Sequence, residues 1–222
     1  MEIYRPLENG TFPLILLLHN SAGAFTLKSA AEPATENFGE KTLARSCFVV
    51  VLPHYLEAMG RKSLMSREEI TARFPELVAI AGTLLDRAEA LPWVKGRPVF
   101  VFGESLGGYL GVVLAFRRGE IAAVSEVSGG MAEGYGIERP NRPRVLVSHG
   151  LADELVPAQE ADALAHYCSE HGISFEGELY PGEGHYLSGS ARSLVVARTI
   201  EFFRRQEGAR GPKPEDVKPR AR

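Results

Sequence analysis

Three residues of this chain, Ser105, Asp153 and His185, occur in an order and in local settings that suit cleavage of an acyl bond. Ser105 lies in Val99-Phe-Val-Phe-Gly-Glu-Ser-Leu-Gly-Gly-Tyr109. Apolar strand-formers run into Gly103-Glu104-Ser105-Leu106-Gly107, and a helical stretch, Tyr109 to Phe116, follows at once. Strand, Gly-x-Ser-x-Gly and helix in that order describe a nucleophile elbow. So sharp a turn presses its backbone against its neighbours, so Gly103 and Gly107 must lack a Cβ. The hydroxyl of Ser105 is left exposed at the apex. A helix N-terminus at that point adds N–H donors and the positive end of the helix dipole, both suited to a developing oxyanion.

A serine hydroxyl needs a base, and the base needs a partner that fixes its tautomer. Asp153 follows an apolar run ending in Ser148-His149-Gly150, four residues too early to cap the helix after Pro157; its neighbour Glu154 is the local rival. Of six histidines, His185 alone follows the final strand pattern, in Pro181-Gly-Glu-Gly-His185. His149 precedes Asp153 and breaks the order serine, acid, histidine. His166 and His171 fit a solvated helix, His19 a brace for the turn after the first buried strand, and His54 a pocket wall. The oxyanion needs two backbone N–H groups. Leu106, directly after the serine, supplies one; Ser21, in the loop before Gly23, is the choice for the second, with Asn20 or Ala22 as alternatives. Asn20, Tyr55, Tyr109, Met131, Tyr135 and Tyr186 are candidates for the substrate pocket. The His and Cys spacings match no zinc pattern, and no phosphate-binding glycine motif is present, so neither metal nor cofactor is expected.

These groups converge only if the elements that carry them are parallel strands of one sheet, because chemistry gathers at the carboxyl ends of such strands. Leu14–Leu18 is a continuous apolar run, as in strands covered on both faces by helices, and Phe48–Leu52, Pro98–Phe102, Ile121–Val127 and Arg144–Ser148 read as further strands. Phe175–Tyr180 reads as the last strand and Glu2–Arg5 as a short edge strand. Helices are expected from a capping box at Asn37 and Glu40 through Arg45, from a second at Ser66 and Glu69 through Leu91, over Pro157–Glu170, and over Ser193–Gln206. Pro75 should kink or divide the second of these. Residues 54–65 and 129–143 read as irregular. The alternation predicts an α/β fold with a doubly wound, mostly parallel sheet. One domain is expected over 1–206, and a disordered tail over 207–222, which holds almost nothing apolar.

With 222 residues, 45% hydrophobic and 24% charged, the chain suits one soluble α/β domain. A net charge of −3 suggests neither a nucleic-acid nor an anionic membrane partner. Cys47 and Cys168 form no disulfide framework and read as structural thiols in a reducing compartment. No signal peptide and no spanning segment is evident, so a cytoplasmic location is expected.

Five segments together resemble the dienelactone hydrolase family of α/β-hydrolases: Leu-Leu-Leu-His19, Val-Val-Leu-Pro53-His-Tyr55, Gly-Glu-Ser105-Leu-Gly-Gly-Tyr109, His-Gly-Leu-Ala-Asp153-Glu-Leu-Val-Pro157 and Gly-Glu-Gly-His185. The resemblance spans Pro13 to Phe203 and implies a compact hydrolase with little or no lid that cleaves carboxylic esters or lactones without a cofactor. Two departures stand out. The family's founding enzymes carry Cys where this chain has Ser105, and Glu after the strand-end histidine where it has Asn20. The position four after His185, where the family has an arginine for a substrate carboxylate, is Gly189; Arg192 is near but unaligned. The expected activity is a serine esterase acting on small esters. Alternatives are a lactone hydrolase, a small peptidase or amidase with the same triad, and a non-catalytic binding protein.

Overall fold

A computed structural model describes residues 1–24, 39–64, 66–138 and 142–207. Among these residues seven strands form one sheet: β1 (Glu2–Tyr4), β2 (Leu14–Leu18), β3 (Val49–Leu52), β4 (Val99–Glu104), β5 (Ile121–Val127), β6 (Arg144–Gly150) and β7 (Phe175–Tyr180). Their spatial order is β1-β3-β2-β4-β5-β6-β7, with β1 antiparallel at the edge and every other pair parallel. Among the described residues six helices cover it: α1 (Glu40–Arg45), α2 (Tyr55–Ala58), α3 (Arg67–Glu89), α4 (Leu106–Arg117), α5 (Gln159–Glu170) and α6 (Gly189–Glu207).

Alternation along each strand divides the core in two. Leu14, Leu16, Leu18, Val49, Val51, Val101, Val124 and Val147 face α2, α3, α4 and α5. Ile15, Leu17, Val50, Phe100, Phe102 and Leu146 face α1 and α6. This double cover is why β2 and β3 read as unbroken apolar runs rather than alternating ones. On the second face Phe203 of α6 stacks on Phe100 with ring centroids 4.6 Å apart, and Phe48 meets both edge-on. A buried Ser125–Thr199 hydroxyl pair (2.9 Å) and the ion pairs Arg198–Glu178 and Arg205–Glu176 fix α6 across β5 and β7. The two glutamates also charge the exposed β7 edge against pairing with another chain.

Several boundaries differ from the sequence pattern. The stretch after β3 is not wholly irregular: Tyr55–Ala58 forms one helical turn, because Tyr55 and Leu56 are both buried. Pro75 does not divide α3, which stays one element of 23 residues capped by Ser66, whose side chain accepts the Glu69 N–H at 3.0 Å. Phe74, Leu77, Ala81 and Leu85 bury one stripe of that helix, and packing outweighs the single lost N–H. Helix α5 starts two residues later than the pattern suggests, and α6 four residues earlier, at a glycine whose helix propensity hides the start. Cys47 is exposed at φ 66° in the turn before β3 rather than within the strand. Asn37 and the tail beyond Glu207 lie outside the described residues. Among the described residues no separate lid is inserted, and no helix is long and apolar enough to cross a membrane.

Truncating Phe203 removes the centre of the aromatic cluster under α6. Phe203→Ala should lower the unfolding free energy by about 3–5 kcal/mol, measured by urea denaturation followed by circular dichroism.

Candidate active site

The chain order reverses between β2 and β4, which lie side by side in register from Leu14↔Val99 to Leu18↔Gly103. Helix α1 after β2 packs on one face and α4 after β4 on the other. The loops leaving the two carboxyl ends therefore part, at the kind of switch point where open α/β sheets bind ligands.

Ser105 stands at this point with φ 55° and ψ −118°, a conformation that costs a non-glycine residue on the order of 1–3 kcal/mol. Its surroundings impose that conformation. A Cβ on Gly103 would clash with the Gly107 carbonyl, and one on Gly107 with the Leu18 carbonyl. The elbow is thus pressed against itself and against the end of β2. The Ser105 N–H is held by the Val127 carbonyl of β5 (2.8 Å), and the Ser105 carbonyl accepts from Tyr109 N–H (3.1 Å).

The loops after β6 and β7 bring the acid and the imidazole to the serine. Leu151 N–H donates to the Tyr180 carbonyl and Ala152 N–H to that of Glu183. A Cβ on Gly150 would strike the Glu183 carbonyl, so the two loops cross with backbone in contact. His185 Nδ1–H donates to Asp153 Oδ2 at 2.8 Å, and its Nε2 lies 2.9 Å from Ser105 Oγ, placed to accept the hydroxyl proton. Asp153 Oδ1 accepts the N–H groups of Leu155 (2.9 Å) and Val156 (2.8 Å), which fix the carboxyl's orientation. Glu154 is exposed and takes no part in these bonds. His149, set aside on chain order, is fully buried; its Nε2–H donates to the Val156 carbonyl at 2.9 Å and lies 3.4 Å from Asp153 Oδ2. It braces the loop that carries the acid. This arrangement can deprotonate a serine hydroxyl during attack on a carbonyl and hold the imidazolium that results.

Leu106 opens α4, so its N–H has no intrahelical carbonyl. In the facing loop, the Ala22 N–H is taken by Asn20 Oδ1 (3.0 Å) and the Gly23 N–H by the Asn20 carbonyl (3.2 Å), whereas Ser21 N–H makes neither bond. Gly23, at φ 96°, passes so close to the Lys62 carbonyl that a Cβ would collide with it, and Leu64 N–H bonds to the Ser21 carbonyl (2.8 Å). The loop is therefore pinned on both sides.

Several pocket candidates have other roles. Tyr55 is fully buried: its hydroxyl donates to the His19 carbonyl and its ring stacks on His19 at 4.0 Å, so it supports the loop after β2. His19 donates through Nδ1 to the Asn20 carbonyl, and burial pushes its pKa down to about 4. Asn20 is also buried, within the loop. Tyr135 packs on Phe74 and under Arg117, at the opposite end of α4 from Ser105. His54 faces Glu2 of the edge strand at 3.3 Å. Tyr186 is exposed with its ring edge-on to His185 at 5.0 Å. Tyr109 and Met131 are half-buried, with Tyr109 beside Glu160; burial, with Glu160 adding, holds the Tyr109 hydroxyl above its ordinary pKa.

An ion pair beside the serine is absent from the sequence-level picture. Glu104, directly before Ser105, is buried; its Oε1 accepts Arg192 Nη2 at 2.6 Å and its Oε2 lies 3.5 Å from Asn20 Nδ2. Burial holds its pKa above the usual carboxylate range, and Arg192 opposes that shift. The site thus holds a carboxylate that arrives from β4, and the Asn20 amide faces it as a donor. Among the described residues no group of three or more His, Cys, Asp or Glu could hold a metal ion.

A model of the prolyl oligopeptidase family matches residues 131–210, a stretch that holds Asp153 and His185 but starts beyond the elbow. Solved structures match over nearly the whole chain. A protein from Klebsiella pneumoniae, provisionally assigned as a dienelactone hydrolase, aligns at 14% identity over 90% of both chains with a TM-score of 0.70. The dienelactone hydrolase-like promiscuous phosphotriesterase P91 from metagenomic libraries aligns at 16% identity over 90% of this chain and 88% of its own, with a TM-score of 0.69. Dipeptidyl peptidase 4 of Porphyromonas gingivalis aligns at 17% identity over 92% of this chain but 33% of its own, with a TM-score of 0.65. The fold is that of the α/β-hydrolases.

Replacing Asn20 by Asp removes the donor and sets two carboxylates face to face. Asn20→Asp should slow modification of Ser105 by a fluorophosphonate probe at least about tenfold, or ~1.4 kcal/mol in activation free energy. Labelling rates at matched protein concentration measure it.

Proposed function

We propose that the protein is a serine hydrolase that cleaves carboxylic esters of small substrates through an acyl-enzyme on Ser105. The observation that carries this is the unbroken hydrogen-bonded series from Ser105 through His185 to Asp153 on a strained strand–helix turn. His185 takes the hydroxyl proton as Ser105 attacks the ester carbonyl. The N–H groups of Leu106 and Ser21 receive the oxyanion, and their positions at the ends of adjacent strands support that role. His185 then passes its proton to the leaving alkoxide. Water activated by the same imidazole releases the acid, and Asp153 stabilises the imidazolium at each step.

We place the enzyme with the dienelactone hydrolase-like esterases, in keeping with likenesses that extend over about nine-tenths of both chains. Its substrates are neutral esters rather than anionic dienelactones. A serine stays protonated until a base removes the proton, so no acidic substrate is needed to trigger it. Arg192 is already joined to Glu104, so its guanidinium is engaged rather than offered to a substrate carboxylate. The match to the prolyl oligopeptidase model favours a second reading, amide cleavage by the same triad.

Ser105→Ala and His185→Ala should each lower kcat by about 10³-fold or more, and the double variant should lose little beyond either, because the two act as a unit. Near-full activity in either single variant refutes the assignment. In a panel of a short-chain p-nitrophenyl ester, a dienelactone and an aminoacyl amide, the first should have the highest kcat/KM. A dienelactone preferred by about tenfold, or ~1.4 kcal/mol, overturns the substrate class, and turnover of the amide alone favours the peptidase reading.

A further inference from the structure

The carboxyl group of Glu126 lies beneath the nucleophile turn and belongs to none of the hydrogen bonds that join Ser105, His185 and Asp153. Glu126 pairs in register with Gly103 on the neighbouring strand and is fully buried. Its Oε2 accepts the Gly129 N–H at 2.8 Å, while its Oε1, also buried, has no hydrogen-bond partner among the described residues. A Cβ on Gly108, in the first turn of α4, would come within 3.0 Å of Oε2, and one on Gly129 within 2.7 Å. Two glycines thus close over the carboxyl from the elbow side and from the turn after β5. That turn also holds the nucleophile's backbone. Val127 accepts the Ser105 N–H, a Cβ on Gly129 would stand 3.1 Å from the Ser105 carbonyl, and Ser128, at φ 53°, is anchored by its N–H to the Ser148 carbonyl (3.0 Å).

We propose that Glu126 is a positioning residue for the elbow: by holding the Gly129 N–H and filling the space under Gly108, its carboxyl keeps residues 127–129 in the turn that grips the Ser105 backbone. This rests on Ser105 being the nucleophile. Glu126 touches neither substrate nor triad, and it acts through the backbone.

Its protonation state follows from the same geometry. One N–H cannot replace the hydration of a carboxylate, so the neutral acid is favoured in this site. Burial pushes the pKa from 4.5 up to about 8, with the Gly129 N–H opposing the shift and Glu160 on α5 adding to it. Other ionisable groups on this side include Tyr109 on α4, Arg67 at the start of α3, which acts on Tyr109, and His149 on β6, two residues beyond Val147, the register partner of Glu126. The folded protein keeps this proton over a range in which the unfolded chain has released it. Stability from this group is therefore full below about pH 4.5 and declines as pH rises toward about 8. Above that, a buried negative charge under the helix end that serves the oxyanion opposes the reaction.

The test compares wild type with Glu126→Gln, which keeps the shape, accepts and donates, but cannot ionise. The reading is the rate of fluorophosphonate labelling from about pH 6 to 10, with melting temperatures alongside. Wild type should label more slowly as pH rises through about 8, by about fivefold or more. Glu126→Gln should match wild type within about threefold at pH 7, stay level through about pH 9, and lose the alkaline fall in melting temperature. Glu126→Leu, which cannot hold Gly129, should lower kcat about tenfold with little change in KM. An alkaline fall in labelling that is the same in Glu126→Gln and wild type, or is absent from wild type, overturns the proposal, whether or not Glu126→Leu folds. If the probe fails to label wild type at any pH, the reading of Ser105 as nucleophile falls, and this inference with it.

Discussion

Backbone packed too closely for any side chain is the constraint on which this site depends. Where β4 turns into α4, Gly103 meets the Gly107 carbonyl and Gly107 meets the carbonyl that ends β2. That contact sets the distance between the elbow and the loop after β2, and with it the placing of the Leu106 and Ser21 N–H groups. A similar contact at Gly150 sets the crossing of the loops that carry Asp153 and His185. Van der Waals contact between backbones is stiffer than any side-chain contact, so the reacting groups inherit the rigidity of the sheet. The unfavourable φ of Ser105 persists because everything around it is over-determined.

The buried carboxyl groups of Asp153, Glu104 and Glu126 all bear on the nucleophile, and each resolves the cost of its burial differently. Asp153 takes two backbone N–H groups and an imidazole N–H. Glu104 takes the guanidinium of Arg192 and faces the amide of Asn20. Glu126 takes one N–H, and its pKa is the one pushed up to about 8. Identical chemistry thus supplies an anion that orients a base, an ion pair that ties α6 to the elbow, and a neutral brace. The number and charge of the donors each site offers separate them.

Elements were legible wherever the burial pattern was strong. β2 and β3 stood out as unbroken apolar runs because helices cover both faces, and the Ser66 capping box marked the start of α3. Boundaries set by tertiary packing were not legible. The turn Tyr55–Ala58 forms because its aromatic ring is buried against His19, α3 runs through Pro75 because its apolar stripe packs on the sheet, and α6 begins at a glycine. Propensity opposes each of these, and contacts distant in sequence outweigh it.

Within the site, the serine, the acid and the histidine could be singled out because each sits at a strand end in a local motif, and strand order then brings strand ends together. The glycine rule at positions 103 and 107 followed from the sharpness of the turn alone. What the chain could not show by itself is which polar groups meet once the loops fold over. Glu104 and Arg192 are 88 residues apart in sequence, and Tyr55 reaches the His19 carbonyl across 36. Glu126 occupies an ordinary strand position whose meaning comes only from Gly108 and Gly129 closing over it. Sequence alone determined which residues have the chemistry and on which elements they ride, because periodicity and turn geometry are local. The tertiary structure decided which charges are paired, which are neutralised and which tyrosines brace rather than bind, because burial and partnership depend on residues that no local pattern links.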